Sequence, residues 1–292
     1  MLKDIKVKRI LFATDFLESS RLALDYATAI AHFFKAALVM LNVIELSQAG
    51  MEAEIATRSP CMTRLDTQKR LDALAAGARA NGVVTETHVK DGVPWECILG
   101  AVASYQADLL VLGVHGIHRG LSHLLIGSNT ERILMSATCP TLTVGAHALA
   151  GVELGFHPKE ILYYSDLSAA AAAAAPYALW FGKVFAAPVQ VCQLTPKKAN
   201  NNPALLKRMV ERYCKSVGQL SPEGQPDWCE SAFHLQRSVA VDQVIHRATT
   251  NLAGMIVLGL KTRSTFGRHL HTSFAYRLLA NASCPVLTIR AL

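Results

Sequence analysis

Residues 108–144, DLLVLGVHGIHRGLSHLLIGSNTERILMSATCPTLTV, decide how the rest of the chain is read. They open with an apolar run, Leu109-Leu110-Val111-Leu112, that breaks at Gly113. A loop holding Gly116, Gly120 and Gly127 follows, and a helix is expected to restart at Ser128-Asn129-Thr130, with Glu131 in its first turn. Strand, glycine loop and helix N-terminus form an arrangement that binds phosphate through backbone N–H groups and the positive end of the helix dipole. Glycines in such a loop let the backbone approach a phosphate closely or take positive φ. Ser128 can cap the helix or give its hydroxyl to a phosphate oxygen. Cys139-Pro140 then leads into a short strand, 141–144.

The residues before this stretch alternate between apolar strands and amphipathic helices. Residues 8–15 read as a strand ending in an acidic residue, Asp15, with Ser19 or Ser20 placed to cap the next helix. Leu22, Ala23, Tyr26, Ala27, Ile30 and Phe33-Phe34 follow the helical period. A second strand covers 37–43. Residues 44–63 are irregular, and a helix marked by Leu65, Leu71, Leu74, Ala75 and Ala78 stops at Asn81-Gly82. A third strand spans 83–90, and Pro94 opens a helix carrying Ile98, Leu99, Val102 and Ala103. Near-continuous apolar strands alternating with helices predict a parallel α/β sheet covered on both faces, with five strands and four helices in the first half. Such sheets bind nucleotide-sized ligands at the C-terminal ends of the strands, where strand order reverses. Asp15 and Gly113 are the candidates for that edge.

The second half repeats the first. Residues 160–166, EILYYSD, echo 9–15, with Asp166 opposite Asp15; 254–259, GMIVLG, echo 108–113; 282–289, ASCPVLTI, echo 137–144. Nearly constant offsets at three places predict one duplicated domain, with a linker near 145–157. The expected boundaries are 1–148 and 156–292. Pro188–Leu194 echoes the second strand, 203–218 reads as a helix, and 221–228, with Pro222, Gly224 and Pro226, reads as a loop. The final strands, 141–144 and 286–289, are short and edge-like, and edges of this kind pair with another edge.

Composition sets outer limits. At 292 residues, 51% hydrophobic and 17% charged, the chain can fill two cores. No apolar run reaches the roughly 18 residues of a membrane span; the alanine-rich stretch 169–180 reads as a packed helix. The N-terminal residues run directly into a strand without a secretory apolar segment, so a cytoplasmic protein is expected. Seven cysteines, none in a CxxC pair, are expected as reduced thiols. The net charge of +7 falls in the second half, because the first 150 residues carry equal numbers of acidic and basic side chains. A basic half can signal an anionic partner, but the charges are scattered and no aromatic stacking motif interleaves them, so nucleic acid is not expected.

On these residues, each half-chain resembles a domain of the universal stress protein family. In its ATP-binding branch the loop reads Gly, two residues, Gly, nine residues, Gly, then Ser or Thr. Strand-end Asp15, the LLVLG strand, the GVHG turn, the Gly127-Ser128 helix start and the Cys-Pro strand carry the resemblance, which covers both halves. One departure stands out: ten residues separate Gly116 from Gly127. The resemblance implies two tandem Rossmann-like (HUP-type) domains, each a five-stranded parallel sheet with helices on both faces, paired within the chain as a pseudo-dimer through their last strands. Further pairing of two chains into a homodimer is compatible with it. By resemblance, adenosine would lie against Ala13, Thr14, Asp15 and Val43, and phosphates against Gly113, Gly116, Gly127, Ser128 and Asn129, with Leu112 and His115 flanking Gly113. His115 could equally cap the loop, and Asp15 could equally serve the first turn of the following helix.

In the second copy Gly259 remains, but Thr262 replaces the second glycine and Thr272 the third. Lys261, Arg263 and Arg268 form either a solvated basic loop or side-chain anion ligands. Histidines 118, 123, 269 and 271 lack metal-ligand spacing, so no protein-bound metal is expected. Cys139 and Cys284, at equivalent pre-proline positions, are expected to be small buried residues. The leading expectation is therefore a stress-response sensor or regulator that binds ATP, with Mg²⁺, in its first half, and hydrolyses it slowly at most because no water-activating base is visible. Its protein partner is not indicated, and no membrane contact is expected. The alternative is a non-nucleotide interaction or chaperone-like module. A dedicated transferase or hydrolase is disfavoured by the absence of a Gly-Lys-Ser/Thr P-loop and of a HIGH-type adenylyl-transfer motif.

Overall fold

Strand β1, Arg9–Ala13, is the hub of the first half. Its alternating side chains face two cores at once: Ile10 and Phe12 on one side of the sheet, Leu11 and Ala13 on the other. The computed structural model describes residues 5–45, 60–114, 117–118, 124–148, 155–193, 202–220, 241–250, 254–261 and 274–291. In chain order these form β1, α1 (Glu18–Phe34), β2 (Ala37–Ile44), α2 (Pro60–Ala80), β3 (Thr85–Asp91), α3 (Pro94–Ser104) and β4 (Leu109–Val114). Then come β5 (Ile117–His118), β6 (Leu124–Leu125), α4 (Ser128–Ser136) and β7 (Thr141–Gly145). The second half contributes β8 (Ile161–Ser165), α5 (Ala169–Val184), β9 (Val189–Gln193), α6 (Pro203–Leu220), α7 (Val241–Thr250), β10 (Met255–Leu260), α8 (Phe274–Asn281) and β11 (Val286–Arg290). The loop expected at 221–228 lies outside the described residues, as does any fifth strand between α6 and α7.

Among the described residues nine strands make one sheet, in the order β3-β2-β1-β4-β7-β11-β10-β8-β9. Within this sheet every pairing inside a half is parallel, and β5 and β6 form a separate antiparallel pair. The two halves meet at β7 and β11, which run antiparallel, with Thr143 opposite Val286, Leu142 opposite Leu287 and Thr141 opposite Thr288. This is the edge-to-edge pairing within the chain that the short terminal strands predict. The Leu142–Leu287 pair joins equivalent residues, so a pseudo-twofold axis runs between them. Two side-chain bonds obey it: Thr143 Oγ1 donates to the Val286 carbonyl at 3.1 Å, and Thr288 Oγ1 to the Thr141 carbonyl at 3.0 Å. All four threonine and valine partners are buried, so each bond is protected from water.

One face of the sheet carries a single core spanning both halves, built from α1, α2, α5 and α6. Its seam is aromatic: Phe34 stacks on Trp180 at 5.3 Å, Phe33 meets Phe185 at 4.7 Å, and Tyr26 meets Phe156 edge-on at 5.8 Å. Such pairs add about 1 kcal/mol each beyond their buried area. The opposite face is divided. Helices α3 and α4 cover the first half around Leu11, Leu110 and Ile133, and α7 and α8 cover the second around Leu162, Ile256 and Leu278. Among the described residues no helix is long and apolar enough to cross a membrane.

Local signals account for most boundaries. Pro94 starts α3, and the chain turns after α2 with Gly82 at φ 76°. One cap differs from expectation. Helix α1 begins at Glu18, so Ser19 and Ser20 lie buried inside its first turn rather than at the cap. The N-cap is Leu17, and Asp15 braces the turn from upstream: its Oδ1 accepts from the Leu17 N–H at 3.0 Å and from the Ser20 hydroxyl at 2.6 Å.

Candidate functional site

The chain leaves β1 towards β2 on one side, and β4 lies on the other. Ala13 therefore pairs with Leu41 and with Leu112, at the point where strand order reverses. A crevice opens there because the helices after β1 and β4 diverge to opposite faces. Ala13 and Leu112 belong to one apolar cluster, Val43 packs against it, and Ile133 brings α4 over the same face. Thr14 is buried, its N–H bonded to the Leu41 carbonyl and its carbonyl to Asn42 Nδ2, at 2.9 and 2.8 Å. Asn42 thus ties the ends of β1 and β2 together, a role that its place in an apolar run did not announce. Asp15 is exposed, as is Ser128, while Asn129 is half-buried in the first turn of α4. His115 and Gly116 lie outside the described residues.

The two halves serve as controls for each other, and shared features are explained by the fold. Phe16 and its counterpart Leu167 both sit in the left-handed region, at φ 64° and 60°, at a cost of about 1 kcal/mol each. The same bonds hold both turns. The Phe16 N–H donates to Thr14 Oγ1 and the Leu167 N–H to Ser165 Oγ; the Leu17 N–H donates to Asp15 Oδ1 and the Ser168 N–H to Asp166 Oδ1. Both carboxylates therefore brace the strand-to-helix turn by holding the N–H of the N-cap residue, and in the second half the N-cap Ser168 also caps α5 itself, its hydroxyl accepting from the Ala171 N–H.

The glycines divide in the same way. A Cβ on Gly113 would lie 2.5 Å from the Ser20 backbone nitrogen, and one on Gly259 only 1.9 Å from the Ala170 carbonyl oxygen. Each glycine lets the first turn of a helix, α1 or α5, press onto the end of its strand. That packing explains why Gly259 persists in the copy that lost the others. Gly127 is different. It is the N-cap of α4 at φ −60°, and among the described residues nothing lies within 4 Å of where its Cβ would be. Neither backbone conformation nor packing asks for glycine there. Pairing of Ile117 with Leu125 and His118 with Leu124 closes the preceding loop as a hairpin, so length added between these partners need not separate its ends.

Other features differ between the copies. Where the first half has Ala13, the second has Tyr164, a buried ring paired with Leu258 at the matching crevice. Burial raises its phenol pKa, with the Asp166 and Cys192 charges adding to the effect. Lys261, at the position equivalent to His115, forms a 2.5 Å ion pair with Asp166. Burial pushes the Asp166 carboxyl up, but bonds from Lys261 and Ser168 outweigh it and hold it below its ordinary value. Lys261 is thus committed to an internal carboxylate; Arg263 and Arg268 lie outside the described residues.

Two neighbours of the first crevice were not singled out from sequence. Trp95, on the first turn of α3, packs against the Ala13–Leu112 cluster, with the Arg132 guanidinium 5.3 Å from its ring centre. Its indole Nε1 is enclosed without a hydrogen-bond partner. A tryptophan directly after a helix-opening proline at the C-terminal edge of a sheet was the available signal. The pre-proline thiols are held protonated by burial, each pushed up to about 12; Cys284 is buried and Cys139 half-buried. Among the described residues, no three His, Cys, Asp or Glu side chains group as metal ligands.

The family model described as "Universal stress protein family" matches twice, over residues 6–145 and 158–290. The chain belongs to the universal stress protein family, as a tandem two-domain member. A universal stress protein of Methanocaldococcus jannaschii is 32% identical over 139 residues, covering 47% of this chain and 81% of that protein. Universal stress protein A homolog 1 of Coxiella burnetii is 33% identical over 140 residues, covering 47% of this chain and 95% of that protein. The crystal structure of a universal stress protein from Archaeoglobus fulgidus has the same fold over both halves. It covers 97% of this chain and 98% of its own, with a TM-score of 0.60 at 16% identity.

Proposed function

We propose that this tandem universal stress protein binds ATP, with its Mg²⁺, in the first domain (residues 1–148), and acts in the cytoplasm as a nucleotide-responsive regulator of a stress response. The second domain (156–292) takes no nucleotide. Adenosine lies in the crevice between Ala13, Leu112 and Val43, and its ribose meets the Thr14–Asp15 turn. The phosphates lie against His115 and Gly116 and at the start of α4, on the N–H groups of Gly127, Ser128 and Asn129. Gly113 contributes by letting α1 close on β4. The metal ion rides on the phosphates, and hydrolysis is slow at most.

Gly127 carries this reading. It is a glycine at a helix N-cap beside a strand-order switch point, with negative φ and, among the described residues, nothing packed against its Cβ position. A ligand that must approach the backbone closely supplies the missing reason. In the second copy Tyr164 and the Lys261–Asp166 pair already occupy the equivalent positions.

The test is nucleotide extraction from the purified full-length protein, followed by calorimetric titration with ATP. Wild type retains adenine nucleotide. Gly127→Val retains none, while its thermal transition moves by less than about 3 °C, because a side chain there meets open space. Equal retention by the two proteins overturns the assignment and favours a non-nucleotide interaction module.

A further inference from the structure

A buried hydrogen bond connects the second half to the start of α4. The Tyr276 hydroxyl, on α8, donates to the Ile126 carbonyl at 2.9 Å, across 150 residues of sequence. Both residues are buried, Tyr276 to 3% exposure and Ile126 to 4%, so water cannot substitute for the phenol. They share one apolar cluster with Leu134, Leu260 and Leu279, so the contact forms part of a packed interface.

The peptide bond gives this contact a consequence. A trans peptide unit is planar, and its C=O and N–H point in opposite directions. The carbonyl of Ile126 and the N–H of Gly127 belong to the same unit. Drawing that carbonyl into the interface core therefore turns the Gly127 N–H outward, away from the second half. Gly127 is the N-cap, and with no Cβ it could rotate freely about its own backbone if nothing held the unit before it.

We infer that Tyr276 is a positioning residue for phosphate: the half of the chain that takes no nucleotide orients the Gly127 N–H of the half that does. This rests on the nucleotide reading proposed above. It gives α8 a task that α4 does not return, because Glu131, the residue of the first half equivalent to Tyr276, carries no phenol. Tyr276 touches the ligand at no point and acts through one peptide plane.

The experiment compares ATP with adenosine on the full-length protein by calorimetry, for wild type, Tyr276→Phe and Thr143→Val. The Phe variant keeps the ring and leaves the Ile126 carbonyl unpaired. It weakens ATP by roughly five-fold, the scale of one buried hydrogen bond, and leaves adenosine within about two-fold, an effect below the scale of such a bond. Thr143→Val loosens the same interface at the β7–β11 seam, away from α4. It leaves the ratio of ATP to adenosine affinity unchanged. Equal losses for both ligands in Tyr276→Phe, or no loss, overturn the inference while the nucleotide reading stands. Equal shifts of that ratio in both variants also overturn it, since a loosened interface would then suffice. A wild-type protein that binds neither ligand overturns the nucleotide reading, and the inference with it.

Discussion

The crevice at Ala13–Asp15 and its counterpart at Tyr164–Asp166 share a backbone and differ in what fills them. Both have a left-handed residue after the carboxylate, a carboxylate that braces the turn into the next helix, and a glycine under that helix. A second domain lacking two of the three loop glycines keeps all of these. They are therefore requirements of the strand-to-helix turn, and neither Asp15 nor Gly113 alone is a sign of nucleotide. The informative differences are the alanine facing a tyrosine and the glycine at the α4 N-cap that the fold does not need.

Substitutions can break this distinction. The largest effect is expected at Tyr164: removing the buried ring with Tyr164→Ala leaves a cavity and costs about 4 kcal/mol in urea unfolding. A cost below about 1 kcal/mol, the scale of a surface change, would mean that the ring does not fill the second crevice. Next is Gly259→Ala, whose Cβ meets backbone at 1.9 Å and costs about 3 kcal/mol. Gly113→Ala, at 2.5 Å, costs less, and Gly127→Ala stays near the 1 kcal/mol or less of a poorer N-cap. Similar costs at all three positions would erase the division between packing and ligand glycines.

The reciprocal graft, Ala13→Tyr, gives the first crevice the second crevice's side chain. It destabilises by about 2 kcal/mol through overpacking and abolishes ATP binding; retained ATP would place the adenosine elsewhere. The smallest effect concerns Lys261. The Asp166 carboxyl is lowered from 3.8 in the folded protein. Its stabilising contribution is thus full above the unfolded value and fades as pH falls below it. Lys261 is mostly exposed, which limits the pair to less than about 1 kcal/mol. Stability measured from neutral pH down through the carboxylate range should fall less in Lys261→Ala than in wild type. A steeper fall in the variant would contradict the ion pair.

Local periodicity made the strands and helices legible, and the three nearly constant offsets exposed the duplication. The short apolar strands at the end of each repeat signalled edges that must be covered, and the family resemblance supplied their pairing within the chain. What escaped depended on tertiary distance. Helix α1 starts at Glu18, leaving Ser19 and Ser20 inside it, because Phe16 takes a left-handed turn, which a phenylalanine does not advertise. Gly113 has the sequence setting of a phosphate glycine, yet Ser20 of α1, 93 residues earlier in the chain, lies directly on it. The contacts of Tyr276 with Ile126 and of Arg132 with Trp95 join residues that no local window contains together.

The antiparallel seam also orders events during synthesis. Thr141 waits for Thr288, 147 residues later, before its strand acquires its second neighbour. Until then a ribosome carries a first half with one flank of its sheet unsatisfied, able to recruit any passing strand. Chaperone demand should therefore peak in that interval and end abruptly when β11 docks, making β11 the strand that decides whether the earlier work is kept.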